Sequence, residues 1–368
     1  MNNEENMKST IEGKLTIEGN TKKFRSSEYN YNFDMKTGVF QRWGKTLKDD
    51  PQWSPFGNEI LDIEISAGTG CPISCKMCYK GNSKGSTPKN MSLETYKLLL
   101  SKLPKYDGEY FCCQQAFGIT SIGSHPELFD IFQHCRDNKI IPNVTINGSD
   151  PLTDDQINKL VKVCGAMAIS IVPPNEEVGY KLIRRILDAG GQQINIHYVI
   201  HQESIDNAYK VCENIKNNPL LKGLNAIVFL GLKPKNRGKS FDILKMPDYQ
   251  KLVDYLLTNN IPWGMDSCSA PRASKAIENT NLLNDKQKEK IQECIEKCES
   301  GIISAFLDCD GKYWHCSFGS ENKDGYGIDV TKVDSFLNDV WLSKPMNEWR
   351  EKLFTLDRQC PFYSEIHV

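Results

Sequence analysis

Three cysteines, Cys71, Cys75 and Cys78, stand at offsets of four and three residues in the stretch Cys71-Pro-Ile-Ser-Cys75-Lys-Met-Cys78-Tyr79. Thiolates are the ligands of iron–sulfur clusters, four of them where the protein supplies every ligand. Three from one short loop leave a coordination position open, which is the arrangement of sites that do chemistry rather than hold a fold together. A zinc or disulfide loop is the competing reading. Zinc motifs usually come as paired C-x-x-C units, and the next cysteines, Cys112 and Cys113, belong to a different predicted strand. Thiols return in number beyond residue 266, at Cys268, Cys294, Cys298, Cys309, Cys316 and Cys360.

The first motif resembles the C-x-x-x-C-x-x-C signature of the radical S-adenosylmethionine (radical SAM) superfamily, with Met77 in the apolar slot before the third cysteine and Tyr79 after it. The resemblance implies that Cys71, Cys75 and Cys78 hold a [4Fe–4S] cluster whose free iron chelates S-adenosylmethionine. An electron from a flavodoxin or ferredoxin-type reductant would then release a 5′-deoxyadenosyl radical that abstracts a hydrogen atom from substrate. It also places Met77 and Tyr79 among the cofactor-binding residues.

The order of the later thiols, with Gly301 and an Asp310-Gly311 hairpin turn between them, looks like the SPASM/Twitch extension found in a subset of these enzymes. A full SPASM domain has a C-x-x-C pair after the hairpin, and this chain lacks it. A single auxiliary cluster, [4Fe–4S] by resemblance, held by Cys268, Cys298, Cys316 and Cys360 is the better match. Cys294 competes with Cys268, because it lies one helical turn before Cys298. Cys309 falls in the hairpin turn, and Cys112, Cys113, Cys135, Cys164 and Cys212 read as small core residues.

The elements that must position these groups alternate. Strands are expected at 61–65, 110–116, 143–146, 166–172, 194–200 and 224–230, and helices at 92–103, 126–138, 153–163, 176–189, 204–217 and 246–259. Ser92, Thr153 and Pro126 mark helix starts. Strand followed by helix, six times, implies right-handed βαβ units and a parallel sheet, and the count matches the partial (β/α)6 barrel of the radical SAM core.

Functional groups of such barrels gather at the C-terminal ends of the strands. Gly118 and Gly123 stand where the family carries a Gly-Gly-Glu-Pro segment facing the cofactor, here reduced to the glycines and His125-Pro126-Glu127; they read either as room for backbone to approach a ligand or as plain turn residues. Asn147, in Thr145-Ile-Asn-Gly148, is read as a ligand contact or as an Asx-turn. Ser170 resembles the position that meets the cofactor ribose. His197 and His201, four apart, would share one face of a strand. Arg237 resembles the arginine of a Pro-x-x-Arg-Gly element and is offered to a cofactor or substrate carboxylate, which its planar fork suits.

The expectation is therefore an α/β chain in three parts: an N-terminal β-hairpin extension at 1–59, with strands near 29–33 and 39–43; a radical SAM partial TIM-like barrel at 60–265; and a Twitch/SPASM-like α+β extension at 266–368. The hairpin reads as a substrate-recognition element or, in preference, as a lid over one edge of the main sheet. The segment from Phe336 to Trp349 has the apolar spacing of a packed helix.

With 368 residues, 39% hydrophobic and 25% charged, and a net charge of −2, the composition is that of an ordinary globular chain. No basic footprint for duplex nucleic acid is present, no apolar run approaches bilayer length, and residues 1–6 do not read as a signal peptide. The cytoplasm is the default expectation, and there fourteen cysteines are expected as reduced thiols or ligands rather than disulfides. Relatives with such extensions mostly modify peptide or protein side chains, which makes a peptide the favoured substrate. A nucleotide, modified base or other small molecule is the alternative, and a non-catalytic electron carrier or zinc protein the competing class.

Overall fold

The computed structural model describes residues 12–68, 70–71, 73–84, 88–320 and 325–368. The reading of residues 1–6 lies outside them. Four short strands come first, β1 (Lys14–Glu18), β2 (Thr21–Arg25), β3 (Asn30–Asp34) and β4 (Phe40–Trp43), in one antiparallel sheet. The expected hairpin is its second half, with Asn30 opposite Trp43 and Phe33 opposite Phe40. The first half turns at Gly19, whose φ of +59° suits glycine.

This sheet does not cover an edge of the main sheet. Its aromatic face, Phe24, Tyr29, Tyr31 and Phe33, packs with Phe56, Phe111 and Ile141, the last two of which lie where main-sheet strands begin. The N-terminal end of the parallel sheet is thus closed. Lys22, fully buried, donates to the carbonyls of Tyr110 at 3.0 Å and Cys112 at 2.9 Å.

The main sheet contains β5 (Ile60–Glu64), β6 (Gln114–Gly118), β7 (Ile141–Asn147), β8 (Ala166–Ser170), β9 (Gln193–Ile200), β10 (Ala226–Gly231) and β11 (Trp263–Met265), parallel and adjacent in chain order. Six strands are expected, and β11 is a seventh, too short to stand out as a run. Between them lie α1 (Leu93–Lys102), α2 (Leu128–Asp137), α3 (Asp154–Val163), α4 (Glu176–Asp188), α5 (Ile205–Asn217) and α6 (Met246–Thr258). Ser92 caps α1 by accepting from the Thr95 amide, and Thr153 and Gln156 form a capping box on α3.

Burial alternates along the strands because successive side chains point to opposite faces. In β9, Ile194, Ile196, Tyr198 and Ile200 are buried, whereas Gln193, Asn195, His197 and Val199 are only half-buried. In β5, Leu61 and Ile63 are buried and Asp62 and Glu64 half-buried. The buried face joins the largest hydrophobic cluster, together with Leu99, Ile131, Leu160 and Ile183 of the helices. The opposite face is polar and partly accessible.

Past β11 come α7 (Ala270–Asn279), α8 (Asp285–Gln292), β12 (Ser304–Leu307), β13 (Lys312–Trp314), β14 (Ile328–Asp329) and α9 (Lys344–Thr355). The expected hairpin is β12 with β13, Phe306 opposite Trp314, and Gly311 turns it at a φ of +76°. Strand β12 also lies parallel to β5, with Phe306 beside Asp62. The main sheet therefore runs without interruption across the expected boundary at residue 266. The 336–349 segment forms two helical pieces, Phe336–Trp341 and α9, that bury Phe336, Trp341, Met346 and Trp349.

Candidate functional site

The three-cysteine loop leaves the C-terminal end of β5, and the pairing of Ser66–Ala67 with Lys89–Asn90 ties its two ends together. Within it the backbone binds itself: the Cys71 amide donates to Ser83 O at 3.1 Å, Ser83 to Gly68 O at 3.0 Å and Cys78 to Cys75 O at 3.2 Å. Gly68, Gly70 and Gly81 take positive φ, as does Ser74 at +58°, so the loop is wound tightly. All three thiols are half-buried. Burial, followed by the neighbouring Cys71 and Cys78, pushes the Cys75 thiol up to about 11, with Arg237 opposing.

Arg237 stands elsewhere than its motif suggests. Its guanidinium donates from Nε to Cys75 O at 3.0 Å, from Nη1 to Gly81 O at 3.1 Å and from Nη2 to Asn82 O at 2.5 Å. The fork that the sequence reading offers to a ligand carboxylate is turned onto the backbone of the cysteine loop, whose wound carbonyls have no helix or sheet partner. Asn236 adds a bond to Tyr79 O at 2.6 Å. Lys80 pairs with Glu64 at 2.8 Å, and the Tyr79 ring lies 4.5 Å from that of Phe318. Met77 is half-buried, and its carbonyl faces Gly238, where a Cβ would come within 2.3 Å of Lys233 O.

Two other expected site residues, Asn147 and Ser170, share one row with His197. The sheet register sets Asn147 beside Ser170, Ser170 beside His197 and His197 beside Val228, all on the accessible face near the strands' C-terminal ends. Asn147 Oδ1 accepts from the Ser149 amide at 3.0 Å, which is an Asx-turn. Burial pushes His197 down to about 4, with Asp266 opposing, so the imidazole is neutral near pH 7. His201 does not share this face as expected: β9 ends at Ile200, and His201 is buried against Phe241 with Nδ1 2.8 Å from Glu203. Gly118 is exposed, beside Glu64, with only Ile63 O within 4 Å of where a Cβ would be. Gly123 sits apart, beside Gln156 in the turn before α2.

The C-terminal thiols come from four separate elements: Cys268 between β11 and α7, Cys298 after α8, Cys316 after β13 and Cys360 after α9. They are electrostatic neighbours. Burial raises Cys268 well above the ordinary thiol range, with Cys298 and Cys316 adding to it. Burial and then Cys316 push Cys298 up to about 12, and burial and then Cys360 push Cys316 up to about 11. Cys294 is exposed. The five core cysteines are buried as expected. Among the described residues no three His, Cys, Asp or Glu side chains close on one point as a single metal ion would require. Thiolate donors suit soft metal centres rather than a hard cation.

Sequence reasoning missed two ion pairs and a half-buried carboxyl. Lys233, 3% exposed, pairs with Asp266 at 2.8 Å beside Cys268. Lys80 with Glu64 links the loop to β5. Asp62, on the accessible face of β5, is pushed up to about 7 by burial alone. The alternation Leu61-Asp62-Ile63-Glu64 was the available signal, since acidic residues inside a parallel strand mark a face that is not simply packed.

No family model and no curated protein matches the sequence. Solved structures do match. SuiB of Streptococcus suis bound to S-adenosylmethionine is 13% identical, with a TM-score of 0.59 over 81% of this chain and 68% of SuiB. SuiB bound to its precursor peptide SuiA gives 0.57 at 13% identity, over 80% and 66%, and a further SuiB structure gives 0.54 at 13% identity, over 79% and 67%. The chain thus spans about two thirds of SuiB's length. Identity at this level shows the fold alone: this chain is built as SuiB is, on the α/β plan with a large parallel sheet that the resemblance to the radical SAM superfamily implies.

Proposed function

We propose that this chain is a radical SAM enzyme. The observation that carries the reading is the placement of the Cys71, Cys75 and Cys78 loop at the C-terminal end of the first parallel strand, bonded there by Arg237, which follows the sixth, at the end of the sheet where Asn147 and Ser170 also lie. Strand order that follows chain order, together with the right-handed crossover that parallel βαβ units take as a rule, puts every helix on one side of the sheet, and this supports a partial barrel whose polar inner face receives the ligands. Cys71, Cys75 and Cys78 would hold a [4Fe–4S] cluster. When bound, that group supplies an electron for cleavage of S-adenosylmethionine to methionine and a 5′-deoxyadenosyl radical, which takes a hydrogen atom from an unactivated carbon.

The chain's own residues do the positioning. Arg237 and Asn236 fix the loop, Tyr79 and Met77 flank the third cysteine, and Gly118 leaves room beside Glu64. Neutral His197 with Ser170 and Asn147 offers hydrogen bonds to an adenosine or substrate without placing a charge there. Cys268, Cys298, Cys316 and Cys360 would hold the second cluster, and Cys294 is too exposed for that set. The N-terminal strands close the base of the sheet through Phe24, Tyr29, Tyr31 and Phe33.

A peptide or protein side chain is the favoured substrate, supported by SuiB's complex with a precursor peptide; a nucleotide or other small molecule is the alternative. A flavodoxin or ferredoxin-type reductant is the proposed electron source and the cytoplasm the proposed location. No described helix is long and apolar enough to cross a membrane. Anaerobic incubation with S-adenosylmethionine and dithionite tests the proposal. The reading requires 5′-deoxyadenosine from the parent chain and none from Cys71→Ala. Equal traces in both would favour an electron carrier, and zinc in place of iron and sulfide a structural metal protein.

A further inference from the structure

Lys233 follows β10 and Asp266 follows β11, so two adjacent strand ends place opposite charges side by side. Lys233 Nζ donates to Asp266 Oδ2 at 2.8 Å and to Gly231 O at 2.7 Å, and lies 4.8 Å above the Phe318 ring. Asp266 Oδ1 accepts in turn from the amides of Ser269 at 3.1 Å and Gly231 at 3.3 Å. Both side chains are therefore held rigidly, the lysine 3% and the aspartate 17% exposed. Lys233 lines one cavity with Cys268 and has Cys268 and Cys360 among its electrostatic neighbours.

A buried ion pair is weak evidence for stability, since desolvation offsets its attraction. A pair fixed beside Cys268, with Cys360 also in its electrostatic reach, calls for another account. We infer that Lys233 and Asp266 form a charge couple that sets the reduction potential of the group held by Cys268, Cys298, Cys316 and Cys360, the ammonium favouring the reduced state and the carboxylate opposing it. The inference rests on the proposed auxiliary cluster and goes beyond it, because burial and fixed charge are independent levers on such a potential. An added electron makes the centre more negative. A fixed positive charge nearby stabilises that state, and in a site of low effective dielectric the stabilisation survives screening.

The test is a potentiometric titration of the full chain carrying Cys71→Ala, Cys75→Ala and Cys78→Ala, so that only the auxiliary centre responds, with dithionite as reductant and paramagnetic resonance as the readout. Lys233→Met should lower the reduced-to-oxidised ratio about tenfold at fixed poise, about 59 mV for one electron, and Asp266→Asn should raise it by a similar factor. Lys233→Arg should restore the parent potential, and the Lys233→Met/Asp266→Asn pair should return close to it.

Opposite shifts in the two single variants support the charge couple. Shifts of the same sign, or potentials that do not move while the iron is retained, overturn it and leave the cluster reading intact. Loss of iron from Lys233→Met alone leaves Asp266→Asn to decide, by a raised or an unmoved potential. Loss of iron from both single variants assigns the pair a purely structural role and overturns the tuning. Absence of iron from the parent of the series overturns both the inference and the auxiliary cluster.

Discussion

Replacing Arg237 by alanine removes three hydrogen bonds from the cysteine loop at once, those to the carbonyls of Cys75, Gly81 and Asn82. A hydrogen bond to a charged group is worth about 1.5–3 kcal/mol, and an ordinary one about 1. Arg237 is half-buried and water can reach carbonyls that it leaves, so the lower figure applies to each. The loop should lose about 3 kcal/mol of local stability, which at 1.4 kcal/mol per tenfold makes its opening about a hundredfold more frequent.

Hydrogen exchange of the metal-free chain reads this directly at the amides of Cys71, Cys78, Gly81 and Ser83, all bonded inside the loop. Protection there should fall about a hundredfold in Arg237→Ala while amides of β9 and α4 keep theirs. Arg237→Lys should fall between, since one ammonium on a flexible stem cannot span three carbonyls with a fixed fork. Iron retained at the first site after anaerobic reconstitution should follow the same order. Unchanged protection in the alanine variant would refute the clamp. Loss of protection across the whole sheet would show that the residue supports the fold at large.

Two further outcomes follow from buried charge. Asp62 is raised to about 7, so between its unfolded value near 3.8 and pH 7 the folded chain binds the extra proton, and stability falls as pH rises through that window. Asp62→Asn should therefore be neutral below about pH 4 and stabilising by about 2 kcal/mol at pH 8, roughly half of what about 3 pH units at 1.36 kcal/mol each would give, because the side chain is partly accessible; equal effects at both pH values in urea denaturation would contradict it. Lys22→Met should cost about 3 kcal/mol by leaving the carbonyls of Tyr110 and Cys112 without their buried donor, and a loss within 0.5 kcal/mol would mean that those carbonyls find other partners.

Much of this chain is legible in its residue order. Alternating strand and helix patterns locate six parallel strands and their helices to within a few residues, because burial on one side of a strand or helix leaves a periodic trace. The Asp310-Gly311 turn and the tight cysteine loop are local signals and need no tertiary context. Readings fail where they depend on where a strand stops or what faces it. Counting in twos gives His201 the face of His197, but the count ends with β9 at Ile200. Strands β1 and β2 are hidden in a lysine-rich stretch, because Lys22 buries its charge on carbonyls of a segment some 90 residues away, which no local pattern records.

The order of residues alone determined the chemistry on offer: three thiols in one loop, a later scatter of more, and a polar stripe inside otherwise apolar strands. Only the tertiary structure decided which of these groups meet. It made Cys268, Cys298, Cys316 and Cys360 electrostatic neighbours from four elements, left Cys294 at the surface, set Asn147, Ser170 and His197 in one row, and turned Arg237 from a ligand fork into a clamp. The reason is physical. Periodicity and turn chemistry act over a few residues and can be read along the chain, whereas proximity between elements is set by sheet register and packing, which the chain acquires only once it has closed on itself.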